Sequence, residues 1–145
     1  MKTKSKYRAE KTVIDGIKFD SRVEWKYYEF LKLEKEHWSI ESFSMQPKYC
    51  LQEKFEKHGI KYRAIYYVAD FLVVYLDWKE DVIDIKGMAT SEAKMKRKMF
   101  EYCFPSLILS WVVYVVKRGG WIWYDENEKA KRADKKLLSQ KTKWN

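Results

Sequence analysis

The chain holds few of the residues that usually announce a function class. Cys50 and Cys103 are its two cysteines among 145 residues, and they form neither a CxxC nor a Cys/His pattern. With no export signal beside them, they are expected to be reduced thiols in the interior. His37 and His58 fall near predicted turns, no metal-binding spacing links them, and no role is assigned to either. No apolar run approaches the ~20 residues that a membrane helix needs. The start, Met1-Lys2-Thr3-Lys4, is basic but lacks the apolar segment of a signal peptide, so the expected location is the cytoplasm. Internal repeats and low-complexity segments are also missing.

What is present is a globular composition with charge at its ends. Apolar residues make up 46% of the chain and aromatics 17%, enough for one domain with a proper core. The net charge is +9. Lys2, Lys4, Lys6, Arg8 and Lys11 against Glu10 give residues 1–11 a surplus of +4. Seven cations against Asp134 give residues 129–145 a surplus of +6, which leaves the middle at −1. Basic ends flanking a near-neutral body suit a phosphate backbone, although solubility alone also accounts for a basic tail. The expected division is a basic arm over 1–11, a domain over 12–124 and a basic helix or tail over 125–145.

Hydrophobic spacing predicts a helix from about Asp20 or Ser21 to His37, carried by Val23, Tyr27, Phe30 and Leu31. A polar break follows, and Gln46-Pro47 opens a strand near Lys48–Gln52. The turn at Lys57-His58-Gly59 leads to one long strand, roughly Tyr62–Leu76, apolar at both parities and so expected to be central and covered on both faces. Asp77-Trp78-Lys79-Glu80 reads as a turn into a strand over Asp81–Lys86. Thr90 or Ser91 caps a second helix to about Tyr102, with Pro105 beyond it. A buried strand over Leu107–Val116, a turn, a short strand over Trp121–Tyr124 and a basic helix capped by Asp125 with Glu128 complete the chain. The expected fold is α/β, with the order αβββαβ, a mixed central sheet and a basic C-terminal appendage.

The chemistry is concentrated in a few polar residues within apolar runs. Asp70 interrupts Ala64–Tyr75, and fourteen residues later Asp84-Ile85-Lys86 ends a β-branched run. Alternation along a strand puts residues 84 and 86 on one side, roughly 6.6 Å apart. A lone carboxylate buried there costs several kcal/mol unless a cation meets it. Asp70 lies at least seven residues from Arg63 and Lys61, and a bulge or strand end at Ala69-Asp70 would suit an active-site edge. Asp84 and Lys86 also fit a surface ion pair, and Lys86 fits a solvated strand end. Glu24 lies about 20° from Leu31 and 40° from Tyr28 around its helix, which aims it at the sheet. Ser21-x-x-Glu24 equally fits a capping box, and the two readings stand about even. Two acids and a lysine on adjacent strands suit phosphodiester hydrolysis. Carboxylates would hold Mg²⁺, and the lysine would orient or deprotonate a water or meet transition-state charge.

Asp70, Asp84-Ile85-Lys86 and a following helix, with Glu24 on the preceding one, resemble the PD-(D/E)xK nuclease superfamily. Lys6-Tyr7-Arg8-Ala9, Asp15–Ser21 with Glu24, Gln46-Pro47, Tyr67–Phe71 and Asp84–Gly87 resemble more narrowly a small phage-encoded family within it. Similar arrangements occur in phage Holliday-junction resolvases and transposon end-cutting nucleases. The likeness covers roughly residues 6–116, and Ala69-Asp70 stands where the superfamily name has Pro-Asp. It implies a restriction-endonuclease-like core, metal ligation by Asp70, Asp84 and the Ile85 carbonyl, Glu24 as an outer or second-metal ligand, and Lys86 as catalytic lysine. Mg²⁺ is the expected cofactor, with Mn²⁺ able to substitute.

The expected activity is a Mg²⁺-dependent DNA endonuclease selective for branched DNA, acting as a homodimer in phage DNA recombination within a bacterial host. Lys94, Arg97 and Lys98 on the second helix, with Lys6 and Arg8 in the arm, are the expected nucleic-acid contacts. Lys94 and Lys98 repel at i, i+4, and a phosphate would offset that repulsion. Trp121, Trp123 and Tyr124 could stack on bases, but packing is the favoured reading. The alternatives are a non-catalytic nucleic-acid-binding or interaction protein, and a transposition or end-processing nuclease that needs a partner.

Overall fold

The computed structural model describes residues 12–141. Lys6, Arg8 and the rest of the basic arm lie outside that range. A small antiparallel hairpin, β1 (Thr12–Ile14) and β2 (Ile17–Phe19), leads into α1 (Arg22–Glu36). Ser21 caps α1 by accepting the Glu24 N–H at 3.2 Å. The helix buries Tyr27 and Leu31, two of the residues whose spacing predicted it.

The chain then forms β3 (Ile40–Met45), β4 (Lys48–Gln52), β5 (Phe55–Lys57), β6 (Ile60–Tyr62), β7 (Ile65–Val68), β8 (Phe71–Tyr75) and β9 (Glu80–Ile85). After α2 (Ser91–Cys103) come β10 (Ile108–Val115), a single 3₁₀ turn, β11 (Gly120–Trp123) and α3 (Tyr124–Lys141). The central five-stranded sheet has the order β11-β10-β9-β8-β3. It is mixed: β9 and β10 run parallel across the α2 crossover, and the other pairs are antiparallel. A parallel pair requires such a crossover, which explains the helix between these two strands.

Two apolar layers flank the sheet. Tyr27 and Leu31 of α1 pack on Phe71, Val73, Ile83 and Val112. On the opposite face, Phe100 of α2 meets Tyr67, Val82, Leu109 and Trp111, and Tyr124 at the start of α3 joins them. Thr90 caps α2 by accepting the Ala93 N–H at 3.1 Å. Among the described residues, no helix is long and apolar enough to cross a membrane.

Several expectations need correction. The predicted polar break over residues 40–45 is β3, the edge strand of the main sheet; a register shift between Ile40 and Ser42 disrupts the alternation that would have revealed it. The predicted long strand is three strands. Only β8 lies in the main sheet, because the chain breaks at Ala69-Asp70. The strand at 48–52 exists, but it pairs with β7 in a separate ribbon. Asp125 does not cap the last helix: α3 begins at Tyr124, and Asp125 lies in its first turn, held by Arg97. Cys103 is exposed and Cys50 only partly buried; both are free.

Candidate functional site

The site begins with a bend shared by two strands. After β3, Gln46 adopts a left-handed backbone (φ 52°) that turns the chain at Pro47. Directly across, β7 stops before β8 at Ala69-Asp70. The two bends are tied together, with Gln46 N–H donating to Asp70 O at 2.8 Å and Ala69 N–H to Pro47 O at 3.1 Å. The β4–β7 pair therefore leaves the sheet where β3 ends and β8 begins, and Asp70 occupies the corner.

There Asp70 extends the sheet ladder with its side chain. Its N–H donates to Ile83 O at 3.0 Å, and its Oδ2 accepts the Ile85 N–H at 2.6 Å. Burial pushes the Asp70 carboxyl up to about 8, helped by the charge of neighbouring Asp84 and, more weakly, of Glu24; the Ile85 N–H opposes the rise. A carboxyl in this position holds a proton at neutral pH unless another cation takes its place.

Asp84 lies at the C-terminal end of β9, beside Trp111 of β10, and is 6% exposed. Its Oδ2 accepts a short hydrogen bond from the Tyr67 hydroxyl, which in turn accepts the Trp111 indole N–H at 2.7 Å. Lys86 Nζ stands 2.9 Å from the same oxygen and 4.9 Å from the centre of the Trp111 ring. Of the two readings of Asp84 and Lys86, the ion pair is real but not at the surface. Burial and the Asp84 charge push the Tyr67 phenol far up, so it is a fixed donor. Asp84, Lys86 and Tyr67 line a cleft of about 340 Å³ with Tyr66, Val68, Thr90, Glu92 and Lys96.

Glu24 realises both of its readings in part. Its Oε1 accepts from the Ser21 hydroxyl at 3.1 Å and its Oε2 from the Asp20 N–H at 3.2 Å, so the cap forms, with the Asp20 amide in place of the expected Ser21 amide. It is also half-buried. Burial raises its carboxyl, the bonds from Ser21 and Asp20 lower it, and the charges of Asp20 and Asp84 add to the rise.

Among the described residues, no three His, Cys, Asp or Glu side chains converge as a ready-made metal cage. The donor set is the pair Asp70 and Asp84, with Glu24 turned into its cap. That pair fits Mg²⁺, which binds through one or two carboxylates and keeps several waters. A carboxyl held protonated by burial and by a neighbouring acid is a group that a divalent cation would relieve.

The expected nucleic-acid contacts separate. Lys94 and Lys98 are exposed on α2, whereas Arg97 makes two hydrogen bonds to Asp125, at 3.0 and 2.6 Å, and lies 4.6 Å from the centre of the Trp111 ring. Arg97 therefore joins α2 to α3 and does not stand free for a phosphate. Trp121 packs edge-on against Tyr27, and Tyr124 against Trp111, in line with the packing reading; Trp123 remains 46% exposed. Sequence reasoning missed Tyr67, Trp111 and the second buried acid of β9, Asp81. Only tertiary contact marks Tyr67 and Trp111, since nothing separates them from the other aromatics along the chain.

No curated protein and no solved structure matches the chain. A family model described as a protein of unknown function (DUF1064) matches residues 4–120, most of the chain, and this protein belongs to that family.

Proposed function

We propose that this protein is a metal-dependent DNA endonuclease of the PD-(D/E)xK type, selective for branched DNA and acting as a homodimer. The observation that carries the reading is the meeting of Asp70 with Asp84, itself paired with Lys86, at the bend where the β4–β7 ribbon leaves the sheet. The element order supports it as well. With the ribbon set aside, α1, β3, β8, β9, α2 and β10 follow the αβββαβ order of a restriction-endonuclease-like core. The branched substrate rests on the resemblance, and the dimer on the paired strands that a four-way junction presents.

In this reading Asp70 and Asp84 hold Mg²⁺, with the Ile85 carbonyl and Glu24 as the further ligands that the resemblance implies. When bound, the ion would neutralise charge on the scissile phosphate and acidify a water. Asp70 would have to be ionised to serve as a ligand. The Lys86 ammonium, held by Asp84 and the Trp111 face, orients the attacking water or meets the charge that develops on phosphate oxygen. Tyr67 holds the Asp84 carboxylate in place by donating to the same oxygen that Lys86 meets.

One observation favours a non-catalytic nucleic-acid-binding protein instead: the Asp84 oxygen facing the cleft already has Tyr67 and Lys86 as partners. The deciding experiment is cleavage of a labelled four-way junction beside matched linear duplex and single strand, with Mg²⁺, Mn²⁺ or chelator. Wild type and Asp84→Asn are compared. The expected result is metal-dependent cutting of the junction, lost in the variant. Equal cutting of all three substrates would remove the branch preference and keep the site; binding without any cutting would favour the non-catalytic reading.

A further inference from the structure

The β4–β7 ribbon continues outward from the cleft into the hairpin of β5 and β6, and residues 52–63 are exposed at every position. A two-stranded hairpin with neither face covered gains little from the core and is marginal by itself. This one is held by a His58-Gly59 turn with both backbones left-handed (φ 51° and 75°), which matches the twist of the strands, and by the stacked pair Phe55 and Tyr62 at 4.6 Å. Such a projection has no evident part in stabilising the domain.

Its surface is net positive. Between residues 48 and 68, five cations face Glu53 and Glu56, a surplus of +3 in a stretch that belongs to the otherwise near-neutral body of the chain. Among the described residues, Lys54, Lys57, Lys61 and Arg63 make no ion pair. Strand alternation puts Phe55, Lys57, Ile60 and Tyr62 on one face and Lys54, Glu56 and Lys61 on the other, so cations line both. At the base, Lys48 lies 4.0 Å above the Tyr66 ring, and Tyr66 and Val68 form one wall of the cleft that holds Asp84 and Lys86. Lys48 and Tyr66 thus join the base of the hairpin to the candidate catalytic cleft.

We infer that the hairpin of residues 52–63 is a DNA-binding arm that enters the major groove of a duplex and positions it over that cleft. Charge complementarity selects a polyanion, and shape selects among polyanions. The major groove of B-form DNA, roughly 12 Å wide, admits a two-stranded β-ribbon, while the deep, narrow major groove of A-form RNA does not. Lys54, Lys57 and Lys61 meet phosphates on the groove walls, and Phe55 and Tyr62 lie toward its floor. This deepens the nuclease reading and rests on its substrate, but it concerns binding and is tested without cleavage.

The test is equilibrium binding, in chelator, of a fluorescent 20-base-pair DNA duplex and of an RNA duplex of the same sequence across a salt series. Full-length wild type is compared with Lys54→Gln/Lys57→Gln/Lys61→Gln, with Phe55→Ala/Tyr62→Ala, and with Asp81→Asn, a buried position on the other face of the sheet. All substituted arm residues are exposed, and unchanged circular dichroism and melting confirm folding. The expected result is tighter binding of DNA than RNA, with the slope of log K against log salt shallower by about 2.7 in the triple variant. Asp81→Asn should bind like wild type, and the aromatic variant should bind DNA more weakly at an unchanged salt slope. Wild-type affinity and slope in the triple variant would overturn the arm, even if the junction is cut. Equal binding of the RNA duplex would overturn the groove assignment. No cutting by the wild type, with arm-dependent DNA binding intact, would refute the nuclease reading alone.

Discussion

Asp81 and Asp84 lie three residues apart on β9, are 5% and 6% exposed, and project from opposite faces of the sheet. Asp81 faces the α1 side, where Ser110 and Tyr75 hydrogen-bond to it and offset part of the rise that burial imposes. One of its oxygens, Oδ1, has no partner. Neither a lysine nor a second acid contributes to its shift. Asp84 faces the α2 side and meets Lys86, Tyr67 and, across the bend, Asp70. The two acids differ in company and hardly at all in burial. A buried carboxylate with neutral donors is a structural polar group, whereas one placed beside another acid and a lysine is poised for a cation.

The largest expected effect that tests this contrast is on cleavage. Asp84→Asn should abolish metal-dependent cutting, while Asp81→Asn, equally buried on the same strand, should keep it; parallel loss in both would dissolve the distinction. Lys86→Gln should slow single-turnover cutting by about 10²–10⁴-fold, the usual range for a positioned acid–base group, with metal-free DNA binding unchanged.

The next effect is on stability. The Asp70 carboxyl is raised from 3.8 to about 8 in the folded chain. Between those values the folded state keeps a proton that the unfolded state has released, so this group's contribution to stability falls as pH rises through the window. Asp70→Asn in chelator should therefore melt higher than wild type near pH 8, and the difference should shrink toward pH 4. Mg²⁺ should raise the wild-type melting temperature more at pH 8 than at pH 6, because at the lower pH it must displace a proton. A Mg²⁺ effect that is the same at both pH values, or that persists in Asp70→Asn, would separate the ion from this carboxyl.

The smallest effect is expected at Asp81 itself. Asp81→Asn keeps the shape and the Ser110 and Tyr75 neighbours while removing a charge that burial opposes. Its melting temperature should stay within about 4 °C of wild type, the equivalent of roughly 1 kcal/mol in a domain of this size. A large loss would mean that Asp81 anchors more than its own surroundings.

The features that local chemistry controls were legible in the chain. Ser21 and Thr90 cap helices where their side chains can reach an N–H three residues on, and His58-Gly59 and Asp77-Trp78 turn where expected. The pattern Asp70 with Asp84-Ile85-Lys86 was visible because polar residues stand out in apolar runs. β3 was not, because its bulge breaks the period on which strand reading depends. Nor was the split of the long strand, since Tyr62–Val68 and Phe71–Tyr75 are equally apolar and their separation depends on a bend shared with Gln46, over twenty residues away.

The amino-acid order by itself therefore determined the helices, most of the turns and the identity of the acids and lysine, because caps, turns and alternation act within a few residues. Only the tertiary structure decided which acid meets which neighbour. It set Asp84 against Asp70 while leaving Asp81 to neutral donors, bound Arg97 to Asp125, and projected a basic hairpin from the rim of the cleft. Those outcomes depend on strand register and on the faces that distant segments present, which no short stretch of chain encodes.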